Sequence, residues 1–148
     1  MDENEHSSYA LEWTLDTFFT PFHSSSSSPF SLVILYARPF APLPVSVAGP
    51  DVLPTLEVQM KMVSDQIAEK AKQICADKLV EDVEVEVAEG DARNVLCDAV
   101  DRHRASILVV GSHGYGKLKR AFLGSVSDYC AHHANCSVMI VKRPKSKH

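Results

Sequence analysis

The chain has 148 residues, of which 45% are hydrophobic and 23% charged, and this composition is ordinary for a globular domain with an apolar core. Its formal net charge of -4 argues against general nucleic-acid binding, which requires a basic surface. No apolar run approaches the roughly 18 residues that span a bilayer, and the acidic start MDENEH lacks the apolar region of a secretory signal. We therefore expect a single domain over residues 1–148, in the cytoplasm or the nucleus, with neither nucleic acid nor membrane as a partner.

The cysteines contain no C-x-x-C pair and sit in apolar or helical surroundings, so we predict reduced thiols in a reducing compartment. They are Cys75, Cys97, Cys130 and Cys136. Two of them lie near His132 and His133, but the spacing matches no standard zinc pattern. The sequence predicts no metal site.

Apolar residues recur at helical spacing in four segments, which are predicted helices. Four short segments with the residue pattern of β-strands alternate with them. The predicted elements are, in chain order, a helix within Met1–Phe19, a serine-rich loop at 20–29, a strand at Phe30–Ala37, a helix from Pro54 to about Leu79, a strand at Val83–Val87, a helix from Asp91 to about Arg104, a strand at Ile107–Val110, a helix at Ser125–His133, a strand at Ser137–Lys142 and a basic tail at 143–148. This alternation predicts an α/β fold with a parallel sheet. Ligands of such sheets bind at the carboxyl ends of the strands.

Several local features refine these predictions. Ser7 or Ser8 is expected to cap the first helix. The glutamates of the alternating strand Val83–Val87 are expected to form a solvated face, and His103 is expected at the surface. Ile107–Val110 is predicted to be buried on both faces, because it is a continuous β-branched run.

The segment 107–126, ILVVGSHGYGKLKRAFLGSV, places a glycine-rich loop between a strand and the start of a helix. Glycines allow close approach of the backbone to a ligand, and the free N–H groups at a helix start attract anions. The basic residues of this loop could add charge at a phosphate. They are Lys117, Lys119 and Arg120.

Three phosphate-binding patterns can be tested on this loop. A Walker A loop fits at Gly111, Gly116 and Lys117 but has Leu118 where a metal-binding hydroxyl is required. The dinucleotide pattern G-x-G-x-x-G fails, because Lys119 stands in place of its last glycine. A plain turn without a ligand stays open as the alternative.

The third pattern is glycine, two residues, glycine, nine residues, glycine and serine or threonine. Gly111, Gly114, Gly124 and Ser125 satisfy it without a gap. This spacing resembles the nucleotide-binding signature of the universal stress protein family. Further segments resemble landmarks of the family in order, the first of them in its plant-type form. They are Tyr9–Trp13, Gly90–Asp91, Val109–Gly114 and Cys136–Val141.

The resemblance implies a three-layer, Rossmann-like sandwich with strand order 3-2-1-4-5, and a bound adenine nucleotide, ATP or AMP, with Mg²⁺ as an optional companion. It implies contacts from Asp2, Ala37, Val110, Gly111, Gly114, Gly124, Ser125 and Val126. Backbone groups of the glycines and the hydroxyl of Ser125 would hold the phosphates, Ala37 and Val110 would line the base and ribose, and Asp2 would accept from the ribose or base.

The family resemblance also implies function and assembly. It implies a role in stress response or signalling, and a homodimer formed through the last strand, Ser137–Val141. We identify no catalytic residue, since no general base or pair of metal carboxylates is apparent, and we expect at most slow ATP hydrolysis. The alternative is a dimeric interaction protein of the same fold that binds no nucleotide.

One family element is missing. Members open with a strand that ends in an aspartate, whereas here only Met1 precedes Asp2. Losing a central strand of ~5 residues with three buried side chains removes roughly 6 kcal/mol, against a typical net stability of ~5–15 kcal/mol. We expect a truncated product or an incorrectly chosen start, and a domain that is marginal alone and has an impaired pocket.

Overall fold

The computed structural model of the chain describes residues 1–24, 28–40, 52–112 and 123–144, without the side chains of residues 52 and 53. In chain order its elements are α1 (Glu5–Phe18), a 3₁₀ turn (Thr20–Phe22), β1 (Leu32–Arg38), α2 (Val52–Asp77), β2 (Val83–Glu89), α3 (Ala92–His103), β3 (Ile107–Gly111), α4 (Ser125–His133) and β4 (Ser137–Val141). The alternation of helices and strands confirms the predicted α/β class.

The strands pair in parallel, as predicted, but in two separate pairs. β1 lies beside β2 with Leu32 opposite Val83, and β3 lies beside β4 with Ile107 opposite Ser137. Within the described residues no strand pairing joins β1 to β3. The two pairs match strands 3-2 and 4-5 of the order 3-2-1-4-5, and no described strand occupies the place of strand 1 between them.

The first residues of the chain contact both strand pairs. The ammonium group of Met1 donates a hydrogen bond to the carbonyl of Leu35 in β1, and burial lowers the pKa of this amino group. At the other pair, the carbonyl oxygen of His6 lies so close to Gly111 that a Cβ there would be 3.0 Å from it. Residues 1–6 thus connect two sheet edges that no hydrogen-bonded strand joins.

The main core lies on the side of the β1–β2 pair that α1 and α2 cover. Its buried members are Leu11, Leu15, Phe19, Ile34, Ala71 and Cys75. The Leu15 side chain is fully buried, and Phe18 and Phe19 make edge-to-face contacts with Phe30 at the amino end of β1. These apolar contacts anchor the two helices to the first strand pair.

Two local predictions were wrong, the cap of the first helix and the start of the second, and the structure adds detail to a third segment. Asn4, and not Ser7 or Ser8, caps α1, because its side chain accepts from the amide of His6 while Ser7 bonds to Asp2. A 3₁₀ turn occupies the start of the predicted serine-rich loop. Helix α2 begins two residues before Pro54.

Strand β3 differs most from its prediction. Ile107 is 38% exposed and the residues from Leu108 to Gly111 are only partly buried, although the run was expected to be covered on both faces. The physical reason is that, among the described strands, β3 has a pairing partner on one edge only. An apolar run of this kind indicates a preference for burial, which the surrounding fold satisfies only in part.

Candidate functional site

The two ends of the glycine-rich loop are held together by backbone hydrogen bonds. The amide of Ser112, directly after β3, donates to the carbonyl of Val141 at 3.0 Å, and the amide of Gly124 donates to the carbonyl of Ser112 at 2.9 Å. Ser112 is also buried. These bonds place the first residue of α4 at the carboxyl end of β3.

The start of α4 carries backbone donors that no described residue uses. Gly124 is the N-cap of α4, and because glycine has no side chain it makes no capping hydrogen bond. In contrast, the side chains of Asn4 and Asp91 cap α1 and α3. The first intrahelical bond runs from the amide of Asp128 to the carbonyl of Gly124. The three preceding amides therefore lack an intrahelical acceptor and lie at the positive end of the helix dipole. They belong to Ser125, Val126 and Ser127.

Gly124 differs from the expected arrangement in one respect. Its own amide is engaged with Ser112 and is not a donor for a ligand. The amides available to a ligand at the start of α4 are those of the next three residues, because these amides lack an intrahelical partner.

Gly111 has a packing requirement of its own. The first turn of α1 approaches it closely, with the His6 carbonyl 3.0 Å from where a Cβ would stand. A glycine at the end of β3 is thus needed for contact with α1, whether or not a ligand is present. This close approach also brings the Asp2 region towards the loop ends.

Asp2 is organised by the residues that follow it. Its Oδ1 atom accepts from the amide of Asn4 at 2.8 Å and from the hydroxyl of Ser7 at 2.7 Å. No described residue donates to Oδ2, which leaves this carboxylate one oxygen for a ligand hydroxyl or amine. Two internal donors hold the carboxylate in a fixed orientation.

A cavity of about 310 Å³ opens at the carboxyl end of β1, between this strand and α2. Its walls include Glu3, Tyr36, Arg38, Gln59, Met60 and Val63. Apolar groups from α2 and polar groups from β1 meet in this open cavity, and small-molecule pockets in general combine such groups.

Two polar side chains of this cavity, Tyr36 and Arg38, have environments that differ from water. Burial raises the pKa of the Tyr36 phenol, and the nearby carboxylates of Glu3 and Asp2 raise it further. Arg38 bonds to Glu89 at 2.6 Å through Nη2, while its buried Nε atom has no partner among the described residues. A buried donor without an acceptor is costly, so this nitrogen favours a ligand or water with an acceptor atom.

The remaining predicted contacts are placed as follows. Ala37 is half-buried near the end of β1, opposite Ala88, and Val110 is half-buried next to Gly111. Gly114 and the basic loop residues lie outside the described residues, as do 25–27, 41–51 and 145–148. The structure thus brings Asp2, Gly111 and the start of α4 into one region through the contacts of His6 and Ser112.

The sequence analysis missed the contribution of α2 to the cavity. Met60 and Gln59 of this helix line the cavity, although the sequence analysis connects neither residue with a site. No local pattern could have revealed this, because the proline-rich segment before α2 gives no indication of where the helix meets β1. It also missed the contact of Glu86 with His103 across β2 and α3.

None of the helices in the described part of the chain is both long and apolar enough to cross a bilayer.

Comparison with known proteins identifies the family. The family model "Universal stress protein family" matches residues 1–142. The chain is similar to "Universal stress protein A-like protein" of Arabidopsis thaliana, with 31% identity over 90% of this chain and 77% of the relative. It is also similar to universal stress protein PHOS34 of the same plant, with 29% identity over 99% of this chain. The chain spans 61% of the length of PHOS34.

Among solved structures, a universal stress protein family protein from Arabidopsis thaliana, determined with AMP bound, is similar. The two share 29% sequence identity at a TM-score of 0.65, and the match covers 93% of this chain and 78% of that one. The sequence signature, the paired parallel strands and these relatives agree, and the chain belongs to the universal stress protein family.

Proposed function

We propose that this chain binds an adenine nucleotide, ATP or AMP, at the carboxyl ends of β1 and β3, and acts in stress response or signalling through nucleotide-dependent contacts with a second copy or another partner. The observation that carries the proposal is the uncapped start of α4, fixed at the end of β3 by the Gly124–Ser112 hydrogen bond.

The phosphates would lie at the start of α4. The amides of Ser125, Val126 and Ser127 can each donate to a phosphate oxygen, and the hydroxyl of Ser125 adds a further donor. Gly111 and Gly114 would border the phosphates from the loop side. With ATP, Mg²⁺ would accompany the phosphates.

The base would occupy the cavity beside α2. Its volume of about 310 Å³ is near the lower limit of ~300–1,000 Å³ for small-molecule pockets, which suits a base with part of its ribose but not a whole triphosphate. Tyr36, Gln59 and the Arg38 Nε atom offer polar partners for ring nitrogens, and the free oxygen of Asp2 can accept from a ribose hydroxyl. Ala37 and Val110 would line the ribose and base. The AMP-bound relative supports this choice of ligand.

The decisive variant is Ser125→Pro. Proline is tolerated at the first position of a helix, and Gly124 already has φ -60° and ψ 153°, a conformation that a following proline accepts. The substitution therefore removes one amide donor and one hydroxyl while preserving α4. We expect equilibrium dialysis to show at least a tenfold loss of affinity for AMP and ATP.

Two controls isolate the amide. Ser125→Ala removes the hydroxyl alone and should lose less affinity than Ser125→Pro. Ala92→Pro places a proline at the same position of α3, whose N-cap Asp91 has φ -67° and ψ 126°, and should leave nucleotide affinity unchanged. If Ser125→Pro binds nucleotide as tightly as the unmodified chain, the assignment of the phosphates to α4 is wrong.

A second candidate function is that of a dimeric interaction protein without nucleotide. It is favoured by the free outer edge of β4, since among the described strands β4 pairs only with β3. A second copy could pair with Ser137–Val141 across a two-fold axis. Sedimentation velocity with and without ATP separates the candidates, because a dimer that ignores ATP in a chain that fails to bind AMP supports the second.

A further inference from the structure

Three side chains outside the proposed nucleotide site bring metal-binding atoms together. Glu84, Glu86 and His103 each offer one ligand atom, and these atoms lie within 4.8 Å of one another. In the part of the chain that the structure describes, this is the one group of three such residues at that spacing. The nitrogen Nε2 of His103 is 2.7 Å from Oε2 of Glu86.

The fold brings these residues together from two elements. Glu84 and Glu86 are alternate residues of β2 and therefore lie on one face of the strand. His103 is the last residue of α3, which reaches the same face. The side chains of Glu86 and His103 are each only 24% exposed, so the group is partly shielded from water.

The charges of the group are unbalanced. Arg102 pairs with Oε1 of Glu86, but Glu84 has no hydrogen bond or ion pair with any described residue. Two carboxylates and one guanidinium leave one net negative charge. Adjacent carboxylates repel each other, and a divalent cation between them would relieve that repulsion.

We propose that Glu84, Glu86 and His103 form a zinc site. One imidazole nitrogen and two carboxylate oxygens are ligands that Zn²⁺ accepts, with water in the fourth tetrahedral position. Mg²⁺ is a poor candidate, because it prefers oxygen ligands in octahedral geometry. The site shares no residue with the proposed nucleotide site and does not depend on it.

Arg102 has a positioning role in this site. Its guanidinium holds Oε1 of Glu86, so the other oxygen points towards His103 and is available to the metal. Outer hydrogen bonds of this kind orient ligating carboxylates in metal sites. The bound ion would replace the present Glu86–His103 hydrogen bond and join the edge strand β2 to the end of α3.

The test is a titration of the whole chain, freed of metal by a chelator and without nucleotide, with ZnCl₂ in competition with a chromophoric chelator. We expect one ion to bind per chain and the affinity to fall at least tenfold in Glu84→Gln and in His103→Ala. Glu84 is exposed, so its variant should fold normally, which circular dichroism checks. The control is His132→Ala, since His132 has a single carboxylate neighbour, Asp128, at 3.8 Å and should not affect binding.

A second measurement separates this site from the cysteines. Co²⁺ replaces Zn²⁺ and gives an intense sulfur-to-metal charge-transfer band only when thiolates are ligands, so this band should be absent. Absence of saturable binding, unchanged affinity in both variants, or a thiolate band that grows with the bound metal would each overturn the proposal.

Discussion

β1 and β3, one strand from each pair, are both apolar but have different surroundings. β1 contains the buried residues Ile34 and Leu35 and is covered by the main core of α1 and α2, whereas β3 has no fully buried residue and begins with the exposed Ile107. Both are apolar runs rich in β-branched residues. Such a run therefore specifies a strand, while its burial depends on how many elements pack around it.

We expect the greatest change in the free energy of unfolding when a strand is supplied between β1 and β3, because both strands would then have neighbours on two edges. A version of the chain with an apolar strand of about five residues ahead of Met1 should gain up to roughly 6 kcal/mol, because three side chains become buried and the free edges of β1 and β3 find partners. Urea unfolding of the extended and the original chain measures the gain. An extension of glycine and serine with the same length is the control, and equal midpoints for the two extended chains would remove the idea.

Truncating one apolar side chain in each region should reveal how differently β1 and β3 are packed. Leu15→Ala, at a fully buried position under β1, should lower the free energy of unfolding by about 2–5 kcal/mol. Val109→Ala, at a half-buried position of β3, should cost about 1 kcal/mol, since less apolar area leaves contact. Urea midpoints measure both. Equal losses at the two positions would show that β3 is as well packed as β1.

A further, smaller loss in the free energy of unfolding is expected at alkaline pH. Burial raises the pKa of the Cys75 thiol to about 11 in the core beneath β1, from an ordinary value of 9.0. The unfolded chain therefore loses this proton first, so the thiol's contribution to stability is complete below about pH 9 and disappears as the pH rises through about 11.

Urea unfolding at several pH values measures this loss. Cys75→Ala should show a shallower decline between these pH values than the unmodified chain. Cys130, whose pKa burial raises to about 12 beneath the second pair, provides the matched variant Cys130→Ala, which should flatten the decline at higher pH. Parallel pH profiles for all three proteins would contradict the prediction.

Much of the fold could be predicted because local patterns determine it. The glycine at 90 followed by Asp91 located the start of α3, and Gly124–Ser125 located the start of α4. The pairing of β1 with β2 and of β3 with β4 followed from the family order. What failed depends on contacts between distant residues. The cap at Asn4 depends on how Asp2 and Ser7 interact, and the cavity requires the position of α2 relative to β1.

The candidate site shows the same division. The glycine spacing predicted where backbone donors would gather, but only the structure reveals that the Gly124 amide bonds to Ser112. Likewise, Glu86 and His103 are 17 residues apart, and an alternating strand pattern contains no information on which side chain will face it.

The hydrogen bond between Gly124 and Ser112 joins two main-chain groups that eleven residues separate in the sequence. Because neither partner is a side chain, the bond does not depend on which side chains those eleven residues carry. Substitutions among them are therefore expected to leave the junction of β3 and α4 intact.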